Sequence, residues 1–338
     1  MKKNQILALL LAAVMLLAVL TGCAAKTEPA QTETAPAEEP APAEEAEPAE
    51  EPAEEPAEES AAVTLTDMTG REITLDEPAT RIVALTPSDC EILYAIGAGD
   101  LLVGRGKYCD YPESISALPV VQSGAETNIE EILALDPQVV LMSDMSQTEE
   151  QAKLLEQNGV KVVISDANDI AGVYTAIRMI GALMAKDDAA EALIGDMQAT
   201  FDEIAAKSEK SGKTIYFEVS PLQWGLWTAG SGTFMDELAT MCGVTNAFAD
   251  ISGWQSVSEE QVIERSPDYI VSIAGMGDTA VEEIMGRDGW GDIGAVKNGR
   301  VYNADSNAIS RPGPRLKDAA IELYHFLNDD EAEEAPAA

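Results

Sequence analysis

Histidine is almost absent: the 338 residues contain one, His325, in an amphipathic C-terminal stretch. Zinc and manganese sites lean on several imidazoles, so binding of a naked metal ion is not expected. The same scarcity argues against a Ser-His-Asp hydrolase, and Gly230-Ser231-Gly232 lacks the Gly-x-Ser-x-Gly elbow. A glycine-rich phosphate loop with its lysine is missing as well. Gly97-Ala98-Gly99 follows a helical pattern and reads as a helix stop. An enzyme is therefore not expected. Positive charge is scarce too, with 21 Lys and Arg against 60 Asp and Glu, a net of −39. The acidic ends account for part of this, but residues 62–328 alone carry −24. Such a body repels nucleic acid and anionic surfaces at long range. Four cysteines at irregular spacing are no disulfide framework. Cys90 and Cys109 either pair or join Cys242 as small buried thiols.

What is present begins with a leader. Lys2 and Lys3 precede an apolar run from Ile6 to Leu20, and Leu20-Thr21-Gly22-Cys23 follows. Fifteen apolar residues fall short of the ~20 that span a bilayer, and the layout is that of a secretory signal peptide over residues 1–22. The ending resembles a bacterial lipobox, which implies cleavage before Cys23 and lipidation of its thiol. The expected location is the outer face of the cell membrane, held by acyl chains. Residues 23–61 repeat Pro-Ala-Glu-Glu, with thirteen glutamates against one lysine. They carry no apolar period and read as an extended tether.

The folded unit is expected over residues 62–328, with an acidic tail at 329–338. Val63 to Glu77 reads as a hairpin, and short apolar runs then alternate with helical patterns: strands at Ile82–Leu85, Leu101–Val103, Val139–Met142 and Val162–Ile164, helices between them. A long helix, capped by Asp187, should occupy 187–210. A second series follows, with strands at Ile215–Phe217, Tyr269–Ile273 and Val301–Asn303 and helices at Thr233–Cys242, Glu259–Arg265 and Arg315–Leu327. The expected fold is α/β: two Rossmann-like lobes (62–186 and 211–328) with mainly parallel sheets, joined by a single long backbone helix.

The halves share a motif. Asn128-Ile129-Glu130-Glu131-Ile132-Leu133 with Pro137-Gln138-Val139-Val140 recurs 130 residues later as Ser258-Glu259-Glu260-Gln261-Val262-Ile263 with Pro267-Asp268-Tyr269-Ile270. Each copy reads as an N-cap, a short helix, a proline stop and a buried strand, which suggests duplicated lobes. Asn128 with Glu131, and Ser258 with Gln261, fit the reciprocal capping pattern. Glu130 and Glu260, at the second helical position, fall outside it and have only the helix dipole as a structural reason.

These motifs, with Arg81–Leu85, Asp110-Tyr111-Pro112, Thr228-Ala229-Gly230 and Arg311-Pro312-Gly313-Pro314-Arg315, resemble the iron-complex and cobalamin substrate-binding proteins of ABC importers over nearly all of Val63 to Leu327. The resemblance implies a ligand between the lobes and a permease dimer with its ATPase as partners. It also implies that Glu130 and Glu260 dock on permease arginines. From the loops at strand ends, the candidate ligand residues are Ser88, Arg105, Tyr108, Trp224, Trp227, Trp254, Asn307 and Arg311; aromatic walls with few polar anchors suit a bulky chelate or corrinoid. Arg311 is placed to hold a carboxylate or amide oxygen. Trp254 is either a ligand wall or a hydrophobic staple, and Trp290 reads as packing. Cobalamin-binding members carry a bulky aromatic where this chain has Ala308 and Ile309, and the acidic body with few pocket bases disfavours an anionic catecholate. No resident cofactor or metal is expected. A lipid-anchored sensor or adhesion domain on the same fold is the alternative function, with an extracellular hydrolase more remote.

Overall fold

The computed structural model describes residues 62–333. The signal peptide, Cys23, the tether and the last residues of the acidic tail lie outside the described residues. The chain opens with a hairpin, β1 (Val63–Thr66) and β2 (Glu72–Leu75), paired in antiparallel register from Val63 opposite Leu75. The first lobe continues with β3 (Ile82–Ala84), α1 (Pro87–Ala95), β4 (Leu102–Gly106), β5 (Val120–Val121), α2 (Ile129–Ala134), β6 (Val139–Met142), α3 (Glu149–Gln157), β7 (Lys161–Ile164) and α4 (Ile170–Leu183). After α5 (Asp187–Lys207) come β8 (Thr214–Glu218), β9 (Trp227–Ala229), α6 (Phe234–Met241), β10 (Thr245–Asn246), β11 (Trp254–Ser256), α7 (Glu259–Arg265) and β12 (Tyr269–Ser272). The chain ends with α8 (Ala280–Met285), α9 (Gly294–Lys297), β13 (Val301–Asn303), α10 (Ser306–Ser310) and α11 (Leu316–Glu333).

Two all-parallel sheets form, in the orders β5-β4-β3-β6-β7 and β10-β8-β12-β13. Both faces of each sheet are covered, so β3, β6 and β12 are buried at every residue without alternation to solvent. In the first sheet Ile82, Ala84, Val139, Leu141 and Val163 point to one side and Val83, Val140, Met142 and Val162 to the other. The second sheet divides likewise, with Ile215, Phe217, Tyr269 and Val271 opposed to Tyr216, Ile270 and Val301. The inward faces of both sheets belong to one continuous apolar cluster. α5 threads that cluster with Ala190, Ile194, Met197, Phe201 and Ile204, a stripe at alternating spacings of four and three that keeps one face inward.

The chain departs from expectation at several ends. Asp187 is the first helical residue of α5 rather than its cap; Lys186 takes the cap position and makes no side-chain capping bond. Asp187 and Asp188 still favour the helix start through the dipole, as Lys207 does its end. α5 stops at Lys207, before residue 210. α11 begins at Leu316 rather than Arg315 and continues to Glu333, five residues into the stretch read as tail. There the helix propensity of Ala and Glu outweighs the unfavourable acids at a helix C-terminus. Gly97 does stop α1, in the left-handed region at φ 70°, with Ala98 N–H donating to the Leu93 carbonyl.

The duplication extends to the backbone. Asp136 and Ser266, 130 residues apart, both adopt positive φ, 49° and 40°, uncommon for non-glycine residues, just before Pro137 and Pro267. Their neighbours act alike: Gln138 Oε1 accepts from Thr80 N (2.7 Å), and Asp268 Oδ2 accepts from Thr214 N (2.8 Å), each tying the foot of its lobe's first strand. The capping is not equal in the two copies. Ser258 and Gln261 complete a reciprocal box. Asn128 caps Glu131 N, but the Glu131 carboxylate turns instead to Gln122 N (2.9 Å), at the carboxyl end of β5. A nearby strand end supplies a donor that the Asn128 N–H, already given to the Gln122 carbonyl, does not.

Candidate functional site

In each parallel sheet the strand order reverses beside the first strand, β3 or β8, and in such folds ligands lie outside the loops at the carboxyl ends of the strands. In the first lobe those loops follow β3 and β4 and carry Thr86 to Asp89 and Lys107 to Tyr111. In the second they follow β8 and β13 and carry Trp224, Trp227 and Asn307 to Arg315. The two sets meet. Arg311 Nη1 donates to Glu91 Oε1 (2.9 Å) and Asp110 Oδ1 (2.7 Å), and its Nη2 donates to Asn307 Oδ1 (2.9 Å) and the Tyr108 carbonyl (3.4 Å). Arg315 grips the same Glu91 through Nε (2.9 Å) and Nη2 (2.8 Å), approaches Asp305 at 3.5 Å, and lies over the Tyr111 ring at 4.3 Å.

Glu91 is the centre of this cluster. Its side chain is 2 % exposed, against 11 % and 13 % for the two arginines. A carboxylate so placed is stable only with such donors. The Arg311 hydrogen bond holds the Asp110 carboxyl below its ordinary range. Burial opposes charge on Arg311, yet Asp110 and Glu91 outweigh it and raise its pKa; Arg315 is raised chiefly by Glu91. The arginine offered by the sequence for a ligand carboxylate is thus occupied by protein acceptors. Two guanidinium groups face three carboxylates, and the cluster carries no surplus positive charge.

The other expected residues divide. Tyr108 and Asn307 join the Arg311 cluster, and the Tyr108 ring is 64 % exposed. Trp224 and Trp227 stand at the carboxyl edge of the second sheet, 76 % and 44 % exposed, with Val219 N–H donating to the Trp227 carbonyl (2.9 Å). Trp254 is half-buried and tilts against Phe234 at 5.5 Å between centroids, so it braces the start of α6 rather than the helix of Glu260. Ser88 is buried beneath the 311–315 loop; a methyl group placed on Gly313 would lie 3.6 Å from its Cβ. Arg105 donates to the Cys109 carbonyl (2.6 Å), while its buried Nε has no acceptor among the described residues. Trp290 is fully buried, stacked under Arg287 at 4.4 Å and donating to Glu259 (3.1 Å), as its packing role requires.

Glu130 and Glu260 are both exposed, each the second residue of its helix, in α2 and α7. Hydrogen bonds from the helix start and Ser258 lower the Glu260 pKa. Sequence reasoning missed Glu91, though a signal existed: an acid between Cys90 and Ile92-Leu93 in an apolar helix must have buried partners. Two further acids lie at the carboxyl edge of the first sheet. Asp89 is fully buried, accepts from the Thr86 hydroxyl, and burial pushes its carboxyl up to about 7. Asp166, accepting from Ser143 Oγ (2.5 Å) and Asp144 N (2.7 Å), is raised to about 6 by burial and by the neighbouring Asp144 carboxyl.

Paired α/β lobes joined by a backbone helix are a receptor's architecture, and residues 82–308 match the periplasmic binding protein family. The chain belongs to that family. An uncharacterized ABC transporter substrate-binding lipoprotein of Bacillus subtilis, YvrC, is 34 % identical over 275 residues, covering 79 % of this chain and 86 % of that protein. The vitamin B12-binding protein of Salmonella typhimurium is 31 % identical over 255 residues, with 74 % and 91 % covered. The crystal structure of a possible iron-binding (periplasmic solute-binding) protein from Staphylococcus epidermidis is similar to this periplasmic binding protein with a TM-score of 0.65 and 32 % identity, covering 74 % of this chain and 99 % of that one. Among the described residues no helix is long and apolar enough to cross a membrane.

Proposed function

We propose that this chain is the lipid-tethered, extracytoplasmic receptor of an ABC importer, capturing a bulky iron chelate or corrinoid between its lobes and delivering it to a permease dimer with its ATPase. The observation that carries the reading is the set of side chains presented at the strand ends. Tyr108 of one lobe and Trp224 and Trp227 of the other are exposed there, and the arginines of the Arg311 cluster are already neutralised. Aromatic area with few free charges favours a large, weakly charged macrocycle over a polyanionic chelate. The YvrC and B12-binding relatives support the importer class, and the lipobox-like Leu20-Thr21-Gly22-Cys23 supports the tether.

Docking is assigned to Glu130 and Glu260. Both are exposed on equivalent helices, and neither is a member of the reciprocal capping pair, although Glu260 also meets the helix start and Ser258. Two separated charges would fix orientation on the permease more than they add affinity. Cells carrying the Glu130→Ala, Glu260→Ala double variant as the sole receptor should lose uptake, while the purified variant keeps its melting temperature and cargo affinity. Uptake at the wild-type rate would reject docking through these residues and favour a sensor or adhesion role on the same fold.

A further inference from the structure

We propose that Cys90 and Cys109 form a disulfide, a cross-link between the start of α1 and the loop after β4 that carries Tyr108 and Asp110. The two sulfurs are gathered at one point: each lies 3.8 Å from the same oxygen, the carbonyl of Ala84 at the end of β3. Both residues are fully buried with free thiols in this structure, and the Cys109 thiol is near enough to raise the Cys90 pKa. Cys242 differs. Its sulfur faces the Ala320 carbonyl of α11 at 3.9 Å, with no second thiol beside it among the described residues.

A free cysteine packs as a small buried hydrophobe with a weak S–H donor, so packing alone does not call for two of them on one carbonyl. They are a good starting state for a bond. Pairing and burial push the Cys90 thiol well up, which suppresses its thiolate once the fold has closed. Oxidation therefore belongs to folding, while both sulfurs are accessible. A thiolate of one cysteine attacks a disulfide donor, releasing one donor thiol and forming a mixed disulfide. The second cysteine displaces the other donor thiol, so one S–S bond forms, one breaks, and two protons pass to the released thiols. The donor is a small-molecule or protein disulfide of an oxidising compartment. Formation in the cell rests on the extracytoplasmic placement proposed above; the chemistry of the pair does not.

The bond has a consequence for the crevice. Cys90 precedes Glu91, and Cys109 sits between Tyr108 and Asp110, so the acid partners of Arg311 lie beside the two ends of the link. The cross-link fixes both sides of that cluster before cargo arrives.

The test uses the full chain, unfolded reduced and refolded in a buffer of oxidised and reduced glutathione, with a never-unfolded sample treated alongside. After denaturing alkylation, trypsin places the two cysteines on separate peptides, 82–105 and 108–153. The expected result is one joined peptide in the refolded sample, Cys242 alkylated alone, and a melting temperature about 5 °C above that of the reduced protein. Cys90→Ser should abolish the join and leave Cys109 alkylated or carrying glutathione. Recovery of both peptides unjoined from refolded protein, or a join to Cys242, overturns the proposal. So does a joined protein that melts no higher than the reduced one.

Discussion

Replacing Glu91 by alanine should be among the most damaging single changes in the crevice. Its carboxylate accepts three charge-assisted hydrogen bonds, one from Arg311 and two from Arg315, at 2.8–2.9 Å. Removing it strands two guanidinium groups that are only 11 % and 13 % exposed. Breaking a buried pair from one side typically costs about 3–5 kcal/mol, because the remaining charge loses its compensation. Arg311 retains Asp110 and Asn307, which places the expected loss towards about 3 kcal/mol. For a chain of this size that lowers the melting temperature by roughly 6–10 °C. Asp110 offers the control: its side chain is 57 % exposed and shares Arg311 with Glu91, so Asp110→Ala should cost about 1 kcal/mol or less. Thermal and urea unfolding of both variants measure the two losses. A Glu91→Ala protein within 1 kcal/mol of wild type, or an Asp110→Ala protein equally damaged, would refute the assignment of the cluster's centre to Glu91.

Four further outcomes follow from the structure. Asp89 and Asp166 have folded pKa values raised to about 7 and about 6, so the folded state holds protons that the unfolded state gives up from pH 4 upward. Stability should fall as pH rises from 4 to 7, and Asp89→Asn should flatten that fall by a few kcal/mol in urea titrations at each pH; an unchanged slope contradicts it. Gly195 lies within α5 with open space at its Cβ position, so Gly195→Ala should stabilise by about 0.5–1 kcal/mol. Gly106→Ala should destabilise, since its Cβ would meet the Leu85 carbonyl oxygen at 2.2 Å, and equal melting temperatures for these two variants would refute the packing described here. The continuous core through α5 predicts only modest lobe closure on cargo binding; a large compaction in small-angle scattering would contradict it.

Local chemistry was legible in the sequence. α7 occupies the span its cap and proline stop indicated, Ser258 and Gln261 form their box, and the 130-residue repeat extends to matching positive-φ residues. The hairpin and the all-buried strands were legible for the same reason, since their apolar pattern reflects burial on both faces. What escaped was short or distant. β5 has two residues beside Pro119, β9 and β11 have three each, and α10 has five, all below the length at which a period shows. The engagement of Arg311 depends on Glu91, 220 positions away, and no local pattern reports such a partner. The raised Asp89 carboxyl likewise depends on what is folded over it, not on its neighbours in sequence.

Cargo binding is the decisive measurement. The full chain would be titrated by thermal shift with cobalamin, haem and a panel of neutral and anionic ferric chelates. A true cargo at one hundred times its dissociation constant should stabilise by about 2.7 kcal/mol. The account predicts such a shift for a weakly charged macrocycle or chelate, abolished in a folded Trp227→Ala, Tyr108→Ala variant. A shift confined to polyanionic catecholates, or no shift with any member of the panel, would contradict a neutralised aromatic crevice built for this class of cargo.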